Sequence, residues 1–186
     1  MTSLPLSRSD LEAATRRGER FKYLCFWGHS KPSDGSVVET CFSQWYPTPF
    51  EVDGVRYATA EHYMMAGKAR LFGDEAALER ILRAPSPAAA KKLGRTVQGF
   101  DEQRWNEQRF EIVVAGNSAK FSRHRELRAF LLATKNRILV EASPVDRIWG
   151  IGLSRDDPRA ERPEAWRGLN LLGFALMAVR GQLEKA

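Results

Sequence analysis

Pro49-Phe50-Glu51-Val52-Asp53-Gly54-Val55-Arg56-Tyr57-Ala58-Thr59-Ala60-Glu61-His62-Tyr63 carries two local signals back to back. Asp53-Gly54 lies between two short β-prone segments. A two-residue hairpin turn needs left-handed backbone at both central positions, which Asp and Gly tolerate, so the first half predicts a hairpin. In the second half Thr59 stands where a helix N-cap belongs. The predicted helix runs to about Leu71 and stops near Gly73.

Toward the C-terminus helices dominate. Asp74 starts a helix to Arg83, and Ser86-Pro87 is a cap followed by a first-turn proline, with Gly94 closing that short helix. Asp101 opens a longer helix that ends between Gly116 and Lys120, and another covers Arg123 to Ala133. Residues 154–167, SRDDPRAERPEAWR, are nearly all polar with two prolines, and a loop that long is often functional, for example a lid. The last helix begins near Asn170, and Leu172, Leu176, Val179 and Leu183 follow one face, which is therefore core. Toward the N-terminus, Phe21 to Trp27 reads as a strand and Val37 to Phe42 as a second, with a polar loop between, so the two can form a hairpin. Residues 1–20 read as a mobile or short helical lead-in to a single domain over 21–184. The expectation is a mainly α (α+β) fold with a small antiparallel sheet or hairpins near the N-terminus.

Composition narrows the chemistry. The 186 residues are 43% hydrophobic, ordinary for a globular domain that folds without disulfides. The two cysteines, Cys25 and Cys41, have no CxxC spacing, and the three histidines stand far apart, so neither a disulfide frame nor a zinc site is expected. The polar start MTSLPLSRSDLEAATRR has no apolar h-region and no run of 18 apolar residues occurs, so a cytoplasmic protein without membrane contact is expected. Twenty-nine Lys and Arg against 23 Asp and Glu give +6, which suits an anionic ligand and equally suits solvated helix faces.

Five places could carry chemistry. Glu61 falls in the first turn of its helix, where free N–H groups and the helix dipole favour a carboxylate; stabilising acids are common there too. Lys68 lies two turns on, on the same face. Lys91-Lys92-Leu93-Gly94-Arg95 is either compensation of a helix C-terminus or a phosphate clamp that presents Arg95. Trp105, in DEQRWNEQRF, is an anchor or a stacking face, and its context favours the anchor. The densest stretch is Val140 to Gly152, with Glu141, Asp146, Trp149 and two glycines; a lone GxG is weak evidence of phosphate binding. Asn170 is a helix cap or a ribose contact. These residue types suit N-glycoside hydrolysis, in which a carboxylate stabilises an oxocarbenium-like sugar and orients water, aromatic faces hold the base and basic groups hold phosphate. They also suit many binding domains.

The stretches CFSQWYPTPFEVDGVRYATAEHYMMAGKA, APSPAAAKKLGR, AKFSRHRELRAFLLAT, LVEASPVDRIWGIGL and GLNLLGFALMAVR, with the Trp105 region, resemble the NADAR (YbiA-like) family, in the family's order over about residues 25–180. The resemblance implies a compact, mainly helical domain that hydrolyses N-glycosidic bonds of ribosylated nitrogen heterocycles without a metal or other cofactor. It implies Glu61 and Asp146 as catalytic acids, and Lys68, Arg95, Trp105, Glu141, Trp149 and Asn170 as substrate-binding residues. One branch of the family acts on early riboflavin-biosynthesis intermediates, ribosylaminopyrimidine 5-phosphates, as damage control; another removes ADP-ribose from guanine in nucleic acid. The preferred partner is therefore a phosphorylated ribosyl small molecule. ADP-ribosylated nucleic acid is the alternative, and a non-catalytic ADP-ribose or NAD-binding module the second alternative. Many relatives read FSNF where this chain has Phe42-Ser43-Gln44-Trp45, and shorter relatives lack Phe26 to Gly35; both segments are candidates for the pocket lining.

Overall fold

The computed structural model describes residues 4–185, so residues 1–3 of the expected lead-in lie outside the described residues. The remainder of the lead-in is a packed helix. In α1 (Arg8–Arg16) the Ser7 side chain accepts the Asp10 N–H, and Leu11 and Ala14 are buried. This helix lies against a 3-10 turn at Pro163–Ala165.

The predicted hairpin forms as β2 (Phe50–Val52) and β3 (Val55–Tyr57), antiparallel, with Asp53 and Gly54 at φ 50° and 76°. Next, α2 (Ala60–Phe72) starts at the Thr59 cap and stops at Gly73 in left-handed conformation. Then α3 (Glu75–Leu82), α4 (Pro87–Gly94) and α5 (Glu102–Arg123) follow, capped by the side chains of Asp74, Ser86 and Asp101. After α6 (Arg125–Ala133) and a short strand comes the C-terminal α7 (Leu171–Leu183), whose Leu172, Leu176, Val179 and Leu183 are all buried. The core forms where α5 packs on both α2 and α7, and where α7 covers the short strand.

Two expectations about strands are corrected. Val37 to Phe42 is not a strand: it ends in a 3-10 turn at Glu39–Phe42. Strand alternation would point Cys41 and Phe42 to opposite faces, whereas the turn buries both, and the Phe42 ring meets Phe26 and Phe130, each at 5.4 Å. Consequently β1 (Tyr23–Phe26) does not pair with its neighbour in sequence. Its partner is β4 (Ile138–Glu141), in parallel, with Phe26 opposite Glu141. Among the described residues the β content is thus one antiparallel hairpin and one parallel pair.

The long polar segment is partly buried, at Ala160, Pro163 and Trp166. Trp166 is buried with its indole N–H on the Ala160 carbonyl at 2.8 Å, and Asp157 pairs with Arg159 at 2.7 Å. No helix among the described residues is long and apolar enough to cross a membrane.

Candidate active site

Glu61 is aimed by its helix start. The Thr59 hydroxyl bonds His62 Nδ1 at 2.8 Å, and the other ring nitrogen meets the Ala84 carbonyl at 3.0 Å, so His62 bolts the first turn of α2 to the α3–α4 link. The Glu61 N–H donates to the Gln44 carbonyl at 2.9 Å, which ties this turn to the Ser43–Trp45 segment. That segment is held from behind by α5. Buried Lys120 donates to the carbonyls of Cys41 and Ser43 at 2.7 and 3.0 Å, and Asn117 Nδ2 donates to the Gln44 side chain at 2.8 Å. Lys120 is fully enclosed, and burial lowers its pKa to about 8.

Glu61 is 2% exposed, and its Oε1 has no hydrogen-bond partner among the described residues. The expected preference for the ionised form is overturned. Burial outweighs the helix dipole and raises the pKa to about 7, with Asp146 raising it further and Lys91, the Trp45 indole N–H and Arg95 opposing. A dipole effect at a helix end is worth about 0.3–1 kcal/mol, whereas desolvating a buried carboxylate costs several.

Glu141 closes β4 and meets the same group of charges. Its Oε2 is buried without a partner among the described residues, and burial, Asp146 and Glu61 raise its pKa to about 8 against the lowering effect of Lys91. The backbone at this point is fastened on both sides, since the Glu141 N–H goes to Asn170 Oδ1 at 2.9 Å and the Glu141 carbonyl accepts from Ile151 at 2.9 Å. The expected cap role of Asn170 is corrected: its side chain makes no cap bond and reaches β4 instead. The glycines nearby have the same purpose. A Cβ on Gly150 would stand 2.8 Å from the Glu141 carbonyl, so the GxG lets the chain pack against itself. Asp146 is oriented by two backbone N–H groups, those of Ile148 and Trp149, both 2.8 Å from Oδ1.

A cavity of about 420 Å³ opens on this cluster. Glu141, Asp146, Ser143, Lys91, Ser43 and Trp45 line it, with Phe26 to His29 along one side, so both segments singled out in the sequence contribute. Glu61 borders the cavity without lining it, with a hydrogen bond from the Trp45 side chain and the charges of Lys91 and Asp146 bearing on its carboxyl. Lys91 stands 5.9 Å from the Trp45 ring centre and is in no salt bridge among the described residues. A wider concavity of about 550 Å³, along the outside of α5 beside Gln103 and Glu107, has no buried acid. Among the described residues no group of three or more His, Cys, Asp or Glu is placed to hold a metal ion.

The structure brings Glu61, Glu141 and Asp146 together, and leaves Arg95 exposed at the end of α4. It places Lys68 elsewhere: Nζ donates to the Gly94 carbonyl at 2.8 Å and sits over the rings of Phe100 and Trp105, at 4.1 and 5.6 Å. Trp105 and Trp149 are half-buried and pack on the core, and neither lines the cavity. Sequence reasoning missed Trp45 and Lys91 as a pair. Lys91 stood inside the basic run already noted, and only the packing of α4 on α2 turns it to the acids.

The NADAR domain model matches residues 25–184. The chain is 41% identical over 167 residues to N-glycosidase R617 of Acanthamoeba polyphaga mimivirus, covering 87% of this chain and 96% of that one. It is 37% identical over 142 residues to N-glycosidase YbiA of Escherichia coli (strain K12), covering 76% and 80%. The NMR structure of the E. coli protein YbiA superposes with a TM-score of 0.71 at 32% identity, over 90% of this chain and 88% of that one. With its fold, its enclosed acids and this agreement over nearly its whole length, the chain belongs to the NADAR family and is a hydrolase acting on N-glycosyl compounds.

Proposed function

We propose that this chain hydrolyses the N-glycosidic bond of phosphorylated ribosylaminopyrimidines, the reactive early intermediates of riboflavin synthesis. One observation carries the reading: a cavity of about 420 Å³ presents two acids and a single lysine, Lys91, on its wall. Small-molecule sites span roughly 300–1,000 Å³, so the volume suits one ribosyl phosphate with its heterocycle. Lys91 holds the phosphate, assisted by exposed Arg95 at the end of the same helix. The heterocycle lies on the Trp45 face. Asp146 and the ionised fraction of Glu61 place negative charge beneath the developing oxocarbenium ion, and Glu61 takes the proton of the attacking water.

Removal of ADP-ribose from guanine in nucleic acid is the second reading. Trp27 and Val145, 54% and 85% exposed, stand at the cavity mouth, where a neighbouring base could rest. The purified protein incubated with each substrate, with released base and sugar identified by mass spectrometry, separates the readings. The small substrate should be cleaved with a log–log salt slope of kcat/KM shallower than about −2, since each backbone phosphate neutralised adds about −0.7 to −0.9. Efficient cleavage of ADP-ribosylated oligonucleotide alone, with a steep slope, moves the protein to the second reading. Binding of ADP-ribose without any product makes it a binding module.

A further inference from the structure

We infer that Glu141 is the proton donor to the departing nitrogen, paired with Glu61 as the acceptor of the water proton. The inference rests on the N-glycosidase reading above and gives separate roles to two acids on different elements. Of the pair, Glu141 lines the cavity, and Glu61 borders it beside Trp45 with its Oε1 unpartnered among the described residues, the position the proposal assigns to the attacking water. The Glu141 backbone is fixed through Asn170 and Ile151, so the carboxyl is presented from a strand end that cannot drift. Its Oε2 is enclosed yet has no partner among the described residues, a state that a substrate nitrogen at the Trp45 face would relieve. The charged groups that bear on it are Glu61 from α2, Lys91 from α4 and Asp146 from the following loop. Two of the three are acids, which keeps the Glu141 proton in place at neutral pH.

The step balances with water as the only co-reactant. The C1′–N bond breaks, its electron pair stays on nitrogen, and nitrogen takes the Glu141 proton. Water oxygen bonds to C1′ and gives its proton to the Glu61 carboxylate. The enzyme is left with Glu141 ionised and Glu61 protonated, and a single proton passing between these neighbours restores it. An exocyclic amine leaves poorly without protonation, so the donor matters most for such substrates.

The test compares wild type, Glu141→Gln and Glu61→Gln on N-ribosyl 5-phosphates with leaving nitrogens of graded basicity, including a pyridinium riboside whose base departs neutral. Melting curves first establish that each variant is folded, and Glu141→Asp serves as the conservative variant if Glu141→Gln is not. Glu141→Gln should lose about 10²–10⁴-fold on amine leaving groups and less than about tenfold on the pyridinium. It should also lose the alkaline limb of the pH profile of kcat/KM. Glu61→Gln should lose a similar factor on every leaving group. An equal loss for Glu141→Gln across the series, or an alkaline limb that survives in it, overturns the assignment while leaving the N-glycosidase reading intact. Should wild type cleave only ADP-ribosylated guanine, the pH comparison on that substrate decides the role of Glu141, and only the choice of substrate is lost. A wild type that releases no base from any N-riboside overturns both.

Discussion

Asn170 holds Glu141 by its backbone and leaves its carboxyl to the cavity: Oδ1 accepts the Glu141 N–H and Nδ2 donates to the Leu139 carbonyl, both at 2.9 Å. At φ 56° the residue also needs a left-handed backbone, which Asn tolerates. Asn170→Gly keeps that backbone accessible and removes both bonds, stranding buried β4 groups. The expected loss is about 1–3 kcal/mol of unfolding free energy, read by urea titration. A loss below about 0.5 kcal/mol would refute the staple.

The raised acids make stability depend on pH in a defined direction. A carboxyl whose folded pKa exceeds its unfolded value near 4.5 binds protons more tightly when folded. Its contribution is whole below pH 4.5 and is lost as pH rises through the folded values, about 7 for Glu61 and about 8 for Glu141. Wild type should therefore be less stable at pH 9 than at pH 6, by an amount on the order of a few kcal/mol. Glu61→Gln and Glu141→Gln should each flatten this slope even as turnover falls, and chemical denaturation at the two pH values measures it. An unchanged slope in both variants would contradict the burial argument.

Lys68 and Lys91 are predicted to differ in kind. Lys68 caps the end of α4 and lies over Phe100, so Lys68→Met should lower the melting temperature and reduce kcat/KM less than about tenfold. Lys91→Met should reduce kcat/KM more than tenfold, since a charge-assisted bond is worth about 1.5–3 kcal/mol. Removing Lys91 should also move the acidic limb of the pH profile upward, because its charge lowers both acids. Steady-state kinetics across pH on both variants would expose a reversal of these roles.

Trp45 contributes a face and an N–H. Trp45→Phe keeps the face and removes the N–H directed at Glu61, so the acidic limb should shift upward with little change in KM. Trp45→Ala loses the face as well, and an aromatic stack on a base is worth about 1–3 kcal/mol, so KM should rise roughly tenfold or more. If both substitutions leave KM and the pH profile unchanged, Trp45 is only a wall.

What could be read from the sequence was the chemistry that acts within a few residues. The caps at Thr59, Asp74, Ser86 and Asp101, the Asp53-Gly54 turn and the Gly73 stop all formed as expected, because each is a local contact between a side chain or turn and its own backbone. Val37 to Phe42 misled because apolar composition does not distinguish a strand from a turn that buries neighbouring side chains. In the site, Glu61, Asp146 and Glu141 were legible as acids in suggestive settings. Their mutual approach was not, since it depends on α2 packing beside β4, about eighty residues further along the chain, through α5 and α7. Asn170 looked like a cap because it directly precedes a helix, and nothing local shows that its side chain turns back to Glu141. Lys68 and Arg95 were the expected phosphate ligands, and the packing of α2, α4 and α5 instead turns Lys68 to the Gly94 carbonyl and sets Lys91 beside the acids.

The parallel pairing of Phe26 with Glu141 also sets an order of assembly. Every element from the hairpin through α6 lies inside the loop that this pairing closes, and such distant closure is slow compared with the formation of a helix. On a chain still emerging from the ribosome, Glu61 has neither Glu141 nor Asp146 beside it. Glu141 and Asp146 join it only when β4 docks, so the group of three acids is a product of the last long-range closure.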